Sequence, residues 1–418
     1  MRSLAPPLDY FDYDRLWQRV ADQGARDLDL DVWSGGWRYL SLAAVALSQT
    51  EAAELAEVTG AFPKLLDHAV QAILDDPAWW SSLAWPWPAI ELARQEPPHP
   101  RHAASLFGRF DFLMDHRGHW QLIEYNADTP SGGREATGLE PAIARVFGSY
   151  QRPSIGFGRR LTAVLQHRIA QHTRPVRRVG IVSSHSWLED FSQAVWLTRL
   201  LCRAGQPALV GDINDLHVTD DHVTLRGRPI DALYRFYPIE RLYRHAVFAP
   251  LWEAAIDRRV LLLNGLRGFL AQSKACLAWL WTNRHQLPPR ARDLVEAHLP
   301  PTVLARDASR KQVKEGVVKH VNGREGDSVV FGADLHPASW QGRLLEGGYV
   351  VQRAVVSPCL EDVAVDDWTQ SVARVGERCA CVGAFTLGGR FGGCYTRLDG
   401  PITSSRATYV ATLIEPSP

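Results

Sequence analysis

The chain has 418 residues, enough for two or three domains, and its 46% hydrophobic and 22% charged content is ordinary for a globular protein. Lys plus Arg and Asp plus Glu both number 46, so the formal net charge is zero, which gives no support for nucleic acid or a membrane surface as partner. No apolar run approaches the roughly 20 residues that span a bilayer, and the opening MRSLAPPLDYFDYD lacks a signal-peptide core, so a cytoplasmic protein is expected.

Residues 1–100 read as mostly helical. The stretch beginning at Ser48 pairs that residue with Glu51 in a capping-box pattern and continues with helical apolar spacing to about residue 76. PAWWSSLAWPWPAIE then breaks the helix as a packed loop, and RQEPPHPRH is a connector.

The next segment, GRFDFLMDHRGHWQLIEYNAD at 108–128, holds two strand-like runs around a turn at Arg117-Gly118. Period-two alternation puts Arg109, Asp111 and Leu113 on one face, with Phe110, Phe112 and Met114 on the other, apolar one. On the second strand, Trp120, Leu122, Glu124 and Asn126 would share a face. A hairpin centred on the turn sets Asp111 opposite Glu124 and Arg109 opposite Asn126. Opposed carboxylates repel unless a cation lies between them. One reading is a solvated outer face. The other is a Mg²⁺ site, since hard cations take carboxylate and amide oxygens. An odd-numbered turn would shift the opposition and remove the argument.

From 151 to 260 the pattern becomes α/β. RRVGIVSS is a strand, SWLEDFSQAVWLTRLLCRAG a helix ending at Gly205, and PALVGD, HVTLRG and DALYRFY are further strands. Beyond 265 come a helix, FLAQSKACLAWLWTNRH, and two strands around a Gly-rich loop, EGVVKHVNGREGDSVVFG. The strand GGYVVQRAVV and a hairpin, FGGCYTRLDGPITSS, complete the chain. The chain contains 41 Arg but only 5 Lys, four of them between 274 and 319, a pointer to positions that need a compact ammonium. Glycines at 323 and 326 let backbone N–H groups approach an anion, although such a loop is also an ordinary turn. Cys379 and Cys381 read as buried strand residues.

Taken together, RFDFLMDHRGHWQLIEYNADTPSGGREA, SKACLAWLW, VVKHVNGREGDSVVFG, YVVQRAVV and YTRLDGPITSS resemble, in that order, the glutathionylspermidine synthase family of ATP-grasp carboxylate–amine ligases. The resemblance implies an α/β (α+β) permuted ATP-grasp fold with a preATP-grasp α/β domain and a mostly helical N-terminal region. It divides the chain into a helical segment at 1–105, a metal and substrate hairpin with helix at 106–150, a preATP-grasp-like domain at 151–262, and a nucleotide lobe with C-terminal core at 263–418. It implies ATP and Mg²⁺ as cofactors and small-molecule carboxylate and amine substrates, joined through an acyl phosphate with release of ADP. Asp111, Glu124 and Asn126 match metal ligands, and Arg109 and Arg397 match arginines at the reacting phosphoryl group. Lys274, Lys319, Gly323, Glu325, Gly326 and Gln352 fall on the nucleotide segments. Thr129 and Ser131 match acyl-substrate positions, and Glu189 and Asp190 match acidic positions near the amine, though an acidic first helical turn explains these two as well.

The amidase domain of two-function members is not expected within these 418 residues, since the ligase-like region starts almost at once. SGG at 131–133 stands where bulkier or thiol-bearing residues are expected, and Phe236 where a small hydroxyl would serve glutathione recognition. A different amino-acid or peptide carboxylate is therefore expected. The rival readings are an ATP-binding scaffold without catalysis and a phosphotransferase using the same site.

Overall fold

A computed structural model describes residues 1–6, 9–28, 33–34, 37–96, 105–324 and 326–416, and the side chains of 23–28, 33, 34, 37 and 377 lie outside that description, as does much of the predicted connector. The body is an eight-stranded sheet. Its order runs Arg2–Leu4, Leu40–Leu47, Thr408–Ile414, Arg390–Asp399, Ser371–Leu387, Phe107–Met114 and Trp120–Asn126, with Cys359–Asp366 added along Ser371–Leu387. The N-terminal region is mostly helical, but the run LSLAAVAL forms a buried strand lying parallel to Thr408–Ile414. A continuous apolar run carries no period that separates strand from helix, so only its distant partner decides.

Against one face of this sheet packs the helix Gln49–Asp75. Ser48 and Glu51 form the expected capping box, with Oγ accepting from Glu51 N at 3.2 Å and Glu51 Oε2 from Ser48 N at 2.8 Å. The WW-rich segment after it is a 3₁₀ helix, Pro77–Leu83, followed by the helix Trp87–Gln95.

A second, parallel sheet orders as Leu261–Leu262, Ala232–Arg235, Val179–Ser183 and Ala208–Asp212, with the helix Leu188–Arg203 as its crossover. Val223–Leu225 lies in a small antiparallel sheet beside it. The third sheet orders as Thr302–Leu304, Tyr349–Arg353, Gly316–His320 and Val330–Phe331, all antiparallel. The two strands flanking the Gly-rich loop thus pair as the sequence implies.

Two expectations are corrected. FLAQSKACLAWLWTNRH is two helices, Leu266–Gln272 and Lys274–Thr282, because Ser273 is extended and caps the second through its hydroxyl to Ala275 N. The C-terminal segment 391–405 is not itself a hairpin. Its strand Arg390–Asp399 turns back at Gly388-Gly389, both at positive φ, to pair with Ser371–Leu387, and leads on into an open loop.

The predicted hairpin is real, and its register holds a compensation. The connection has five residues, 115–119, with Gly118 at φ +83°, so Met114 faces Trp120 and Phe112 faces Leu122. A bulge at Ile123 then restores Asp111 opposite Glu124 and Arg109 opposite Asn126. The same bulge reverses the face of the residues before it. Trp120 and Leu122 point into the core with Phe112 and Met114, not toward Glu124. Phe110 stacks on Tyr125 with ring centroids 4.1 Å apart. Among the described residues, no helix is long and apolar enough to cross a membrane.

Phe110 is fully buried beneath the charged face of its strand. Phe110→Ala is expected to lower unfolding free energy by about 3–5 kcal/mol, measured by denaturant titration.

Candidate active site

Phe107–Met114 is an interior strand, so its polar face looks into the molecule. Arg109 lies 5% exposed and Asp111 2%. Arg109 grips Asp111 with both arms of its fork, Nε to Oδ1 at 2.7 Å and Nη2 to Oδ2 at 3.1 Å. Arg397, reaching from Arg390–Asp399, donates Nη2 to the same Oδ2 at 2.8 Å, and Asn126 Nδ2 donates to it at 3.1 Å. Close approach of these groups depends on Gly383, which pairs with Asp111. A Cβ there would come within 2.8 Å of Arg109 Cδ and 2.6 Å of the Tyr395 ring. Burial alone would raise the Asp111 carboxyl, but Arg109 and Arg397 together hold it below the usual range.

Glu124 takes a different cation. Lys274 Nζ donates to its Oε1 at 2.9 Å and to the carbonyl of Gly323 at 2.8 Å. The break at Ser273 starts the helix at Lys274 and aims it here, with Lys274 N bonded to Val321 O. The two opposed carboxylates are therefore neutralised separately rather than by one shared group.

Lys319 Nζ donates to Gln352 Oε1 at 2.8 Å and to the carbonyl of Ile123, the bulged residue, at 3.2 Å. Gln352 gives its amide N–H to Thr302 Oγ1, so both ends of that amide serve to place Lys319. Burial, and secondly Lys274, lower the Lys319 ammonium to about 8.

The Gly-rich loop is fastened across the cleft by Arg324, which sequence reasoning passes over. Its Nε and Nη2 bind Glu240 at 2.7 and 3.0 Å, Nη2 binds Asp128 Oδ2 at 2.7 Å, and Nη1 binds Thr129 Oγ1 at 3.0 Å. Asp128, fully buried, is also paired with Arg235 and accepts from Ile239 N at 3.1 Å. Its carboxyl is held below the usual range by Arg235 and Arg324 against the cost of burial.

These groups line a cleft of about 1100 Å³ between the third sheet and the parallel α/β unit. Of the residues singled out in the sequence, Arg109, Asp111, Glu124, Asn126, Thr129, Ser131, Glu189, Asp190, Lys319, Gly323, Gly326, Gln352 and Arg397 all border it. Lys274 lies just behind Glu124, and Glu325 falls outside the described residues. Ser131 accepts from Arg109 through both its hydroxyl and its carbonyl, at 3.2 and 3.1 Å. Apolar walls come from Leu113, Ile123, Val317, Val329 and Phe331. At the far end Trp187 stacks on Tyr237, with the Arg241 guanidinium 4.5 Å from the Trp187 ring centre. Cys381 is a buried strand residue that borders the cleft, whereas Cys379 is only half-buried. Phe236 is fully buried beside Tyr234 and does not reach the cleft, so it carries no information about substrate.

Among the described residues no cluster of three His, Cys, Asp or Glu side chains can hold a metal. The donors nevertheless suit Mg²⁺, which is commonly held by one or two carboxylates with the balance from substrate phosphates and water. Asn126 spends its NH₂ on Asp111, which leaves its amide oxygen as a third donor.

The model of the family described as glutathionylspermidine synthase preATP-grasp matches residues 15–415. The chain belongs to that family. The fold agrees: a glutathione synthetase like-effector from Globodera pallida superimposes with a TM-score of 0.64 at 10% identity, covering 98% of each chain, which makes the architecture ATP-grasp-related. A Haemophilus influenzae protein named "Putative acid--amine ligase" is 28% identical over 237 residues, 54% of this chain and 55% of its own. The match thus spans about half the length of that curated relative. Family membership covers every segment that lines the cleft.

Asp128→Ala would leave Arg235 buried without its carboxylate and release one hold on Arg324. A loss of about 3–5 kcal/mol in unfolding free energy is expected, with faster limited proteolysis within 321–329 than in wild type.

Proposed function

We propose that the protein is a carboxylate–amine ligase that consumes ATP with Mg²⁺ and forms an amide through an acyl phosphate, releasing ADP and phosphate. The observation that carries this reading is the set of three cations, Arg109, Arg397 and Lys319, converging with Asp111, Glu124 and Asn126 in one cleft, with Lys274 paired to Glu124 from behind. A surface hairpin has no use for such an arrangement, whereas transfer of a phosphoryl group needs positive charge fixed in advance around developing anionic oxygens.

A carboxylate is a poor acyl donor because its leaving group would be oxide. Attack of a carboxylate oxygen on the γ-phosphoryl group expels ADP and gives an acyl phosphate, a mixed anhydride; an amine then attacks its carbonyl carbon, expels phosphate and loses a proton to leave the amide. Lys274 and Lys319 supply point charges toward a polyphosphate, and Arg109 and Arg397 supply directed N–H groups toward the reacting oxygens. Mg²⁺, held by Asp111, Glu124 and Asn126, would neutralise charge on the phosphate oxygens. The apolar side chains of Val317 and Phe331 suit the faces of a purine base. The Gly-rich loop, fastened by Arg324, keeps water from a hydrolysable acyl phosphate.

Thr129 and Ser131 border the acyl side in this reading. Glu189 and Asp190, in the first turn of Leu188–Arg203, border the amine side, where negative charge favours an ammonium. The substrate is taken to be an amino-acid or peptide carboxylate other than glutathione. Gly132 and Gly133 pack against the rings of Tyr395 and Trp196, and a Cβ at Gly133 would meet Trp196 at 2.3 Å, so the bulkier residues expected there have no space, whatever the substrate.

Incubation with ATP, Mg²⁺ and pooled amino acids, peptides and amines should yield substrate-dependent ADP, and Glu124→Ala should reduce it at least about 100-fold. AMP as the nucleotide product would instead mean adenylation and overturn the mechanism.

Lys319 contributes a pH dependence. With its ammonium at about 8 in the free protein, its charge is lost as pH rises through that value, while a bound polyphosphate holds the proton. Affinity for ATP should therefore fall about tenfold between pH 7 and 9, measured by calorimetry, and Lys319→Met should flatten the profile.

A further inference from the structure

Away from the cleft, two of the six cysteines face each other. Cys359 and Cys379 are directly opposed partners on the antiparallel strands Cys359–Asp366 and Ser371–Leu387. Opposed residues in such a ladder have Cα atoms about 4.5–5.5 Å apart, within the roughly 4.4–6.8 Å span of a disulfide, and their side chains leave the sheet on the same side. Cys359 is exposed and Cys379 half-buried. Burial and the adjacent Cys359 thiol push the Cys379 thiol up, a sign that the two side chains meet. The other cysteines lack this arrangement: Cys276, Cys381 and Cys394 are buried, and Cys202 donates to the carbonyl of Ala208.

We propose that Cys359 and Cys379 form a reversible thiol–disulfide exchange site whose reactant is a low-molecular-weight disulfide. The exposed Cys359 thiolate attacks one sulfur of that disulfide, forming a mixed disulfide and expelling one thiolate. Cys379 then gives up its proton and attacks Cys359 Sγ, expelling the second thiolate. Two protein thiols are oxidised to one disulfide and the small disulfide is reduced to two thiols, so the exchange balances.

The bond would close near one wall of the cleft. Arg378, next to Cys379, stands 3.9 Å from Asp399, whose carboxylate accepts from Gly400 N at 2.8 Å and Ser404 N at 2.6 Å. Pro401, Thr403 and Ser404 border the cleft. The site is independent of which reaction the cleft carries out.

The test is incubation of the reduced full chain with 2-hydroxyethyl disulfide, then acid quench, denaturation, alkylation and peptide mass mapping. Wild type should lose two of its six alkylatable thiols, yield one crosslinked peptide joining Cys359 to Cys379 within a single chain, and regain six thiols with dithiothreitol. Cys379→Ser should stop at a mixed disulfide on Cys359, and Cys359→Ser should leave Cys379 alkylatable over the same period. Six thiols remaining in wild type, a mixed disulfide on Cys359 that persists, or a crosslink that joins other cysteines or two chains would each overturn the proposal. The wild-type measurement stands even where a variant folds poorly.

Discussion

The cleft depends on a single inserted residue. A five-residue connection leaves the hairpin arms one step out of the pairing that would set Asp111 against Glu124. Ile123, bulged from the second arm, takes up that step. Because side chains alternate with period two, the inserted residue sends even-numbered side chains before it to the core and even-numbered side chains after it to the cleft. Trp120 and Leu122 therefore fill the apolar layer under the sheet, while Glu124 and Asn126 meet Asp111 and Arg109. The bulge also exposes a carbonyl that a paired strand would have used, and Lys319 bonds to it. One local irregularity thus serves packing, register and the placement of a lysine.

The electrostatics follow from that geometry. The two opposed carboxylates of the hairpin are shielded from water and each is stabilised by cations: Asp111 by Arg109 and Arg397, Glu124 by Lys274. Such pairs contribute little net stability because desolvation offsets attraction. Their value lies in holding charged groups at fixed positions without solvent reorganisation. Asp128 acts in the same way at a remove from the cleft centre, joining Arg235 of the parallel sheet to Arg324 of the Gly-rich loop. The chain is neutral overall, and two of its five lysines, Lys274 and Lys319, are the point charges of this network.

What the sequence makes legible is local and periodic. Alternation around Arg109 and Asp111, the capping box at Ser48, and the strands flanking the Gly-rich loop each depend on neighbours a few residues away, and each appears as expected. Features set by distant partners are not legible. Leu40–Leu47 becomes a strand only because Thr408–Ile414 lies alongside, and Ser273 breaks a helix whose apolar pattern runs straight through it. Arg324 looks like a surface charge in a polar loop until Asp128 and Glu240, far away in sequence, are seen to flank it. Phe236 misleads for the opposite reason: proximity in sequence to site residues does not put a side chain on the site face.

The attachment of Arg324 bears on how far the Gly-rich loop can move. Its guanidinium makes four hydrogen bonds to Glu240, Asp128 and Thr129, which belong to two segments outside the third sheet. Lifting the loop there requires all four to be exchanged for water. The position of one side of the loop is thus tied to the lifetime of a single arginine's contacts.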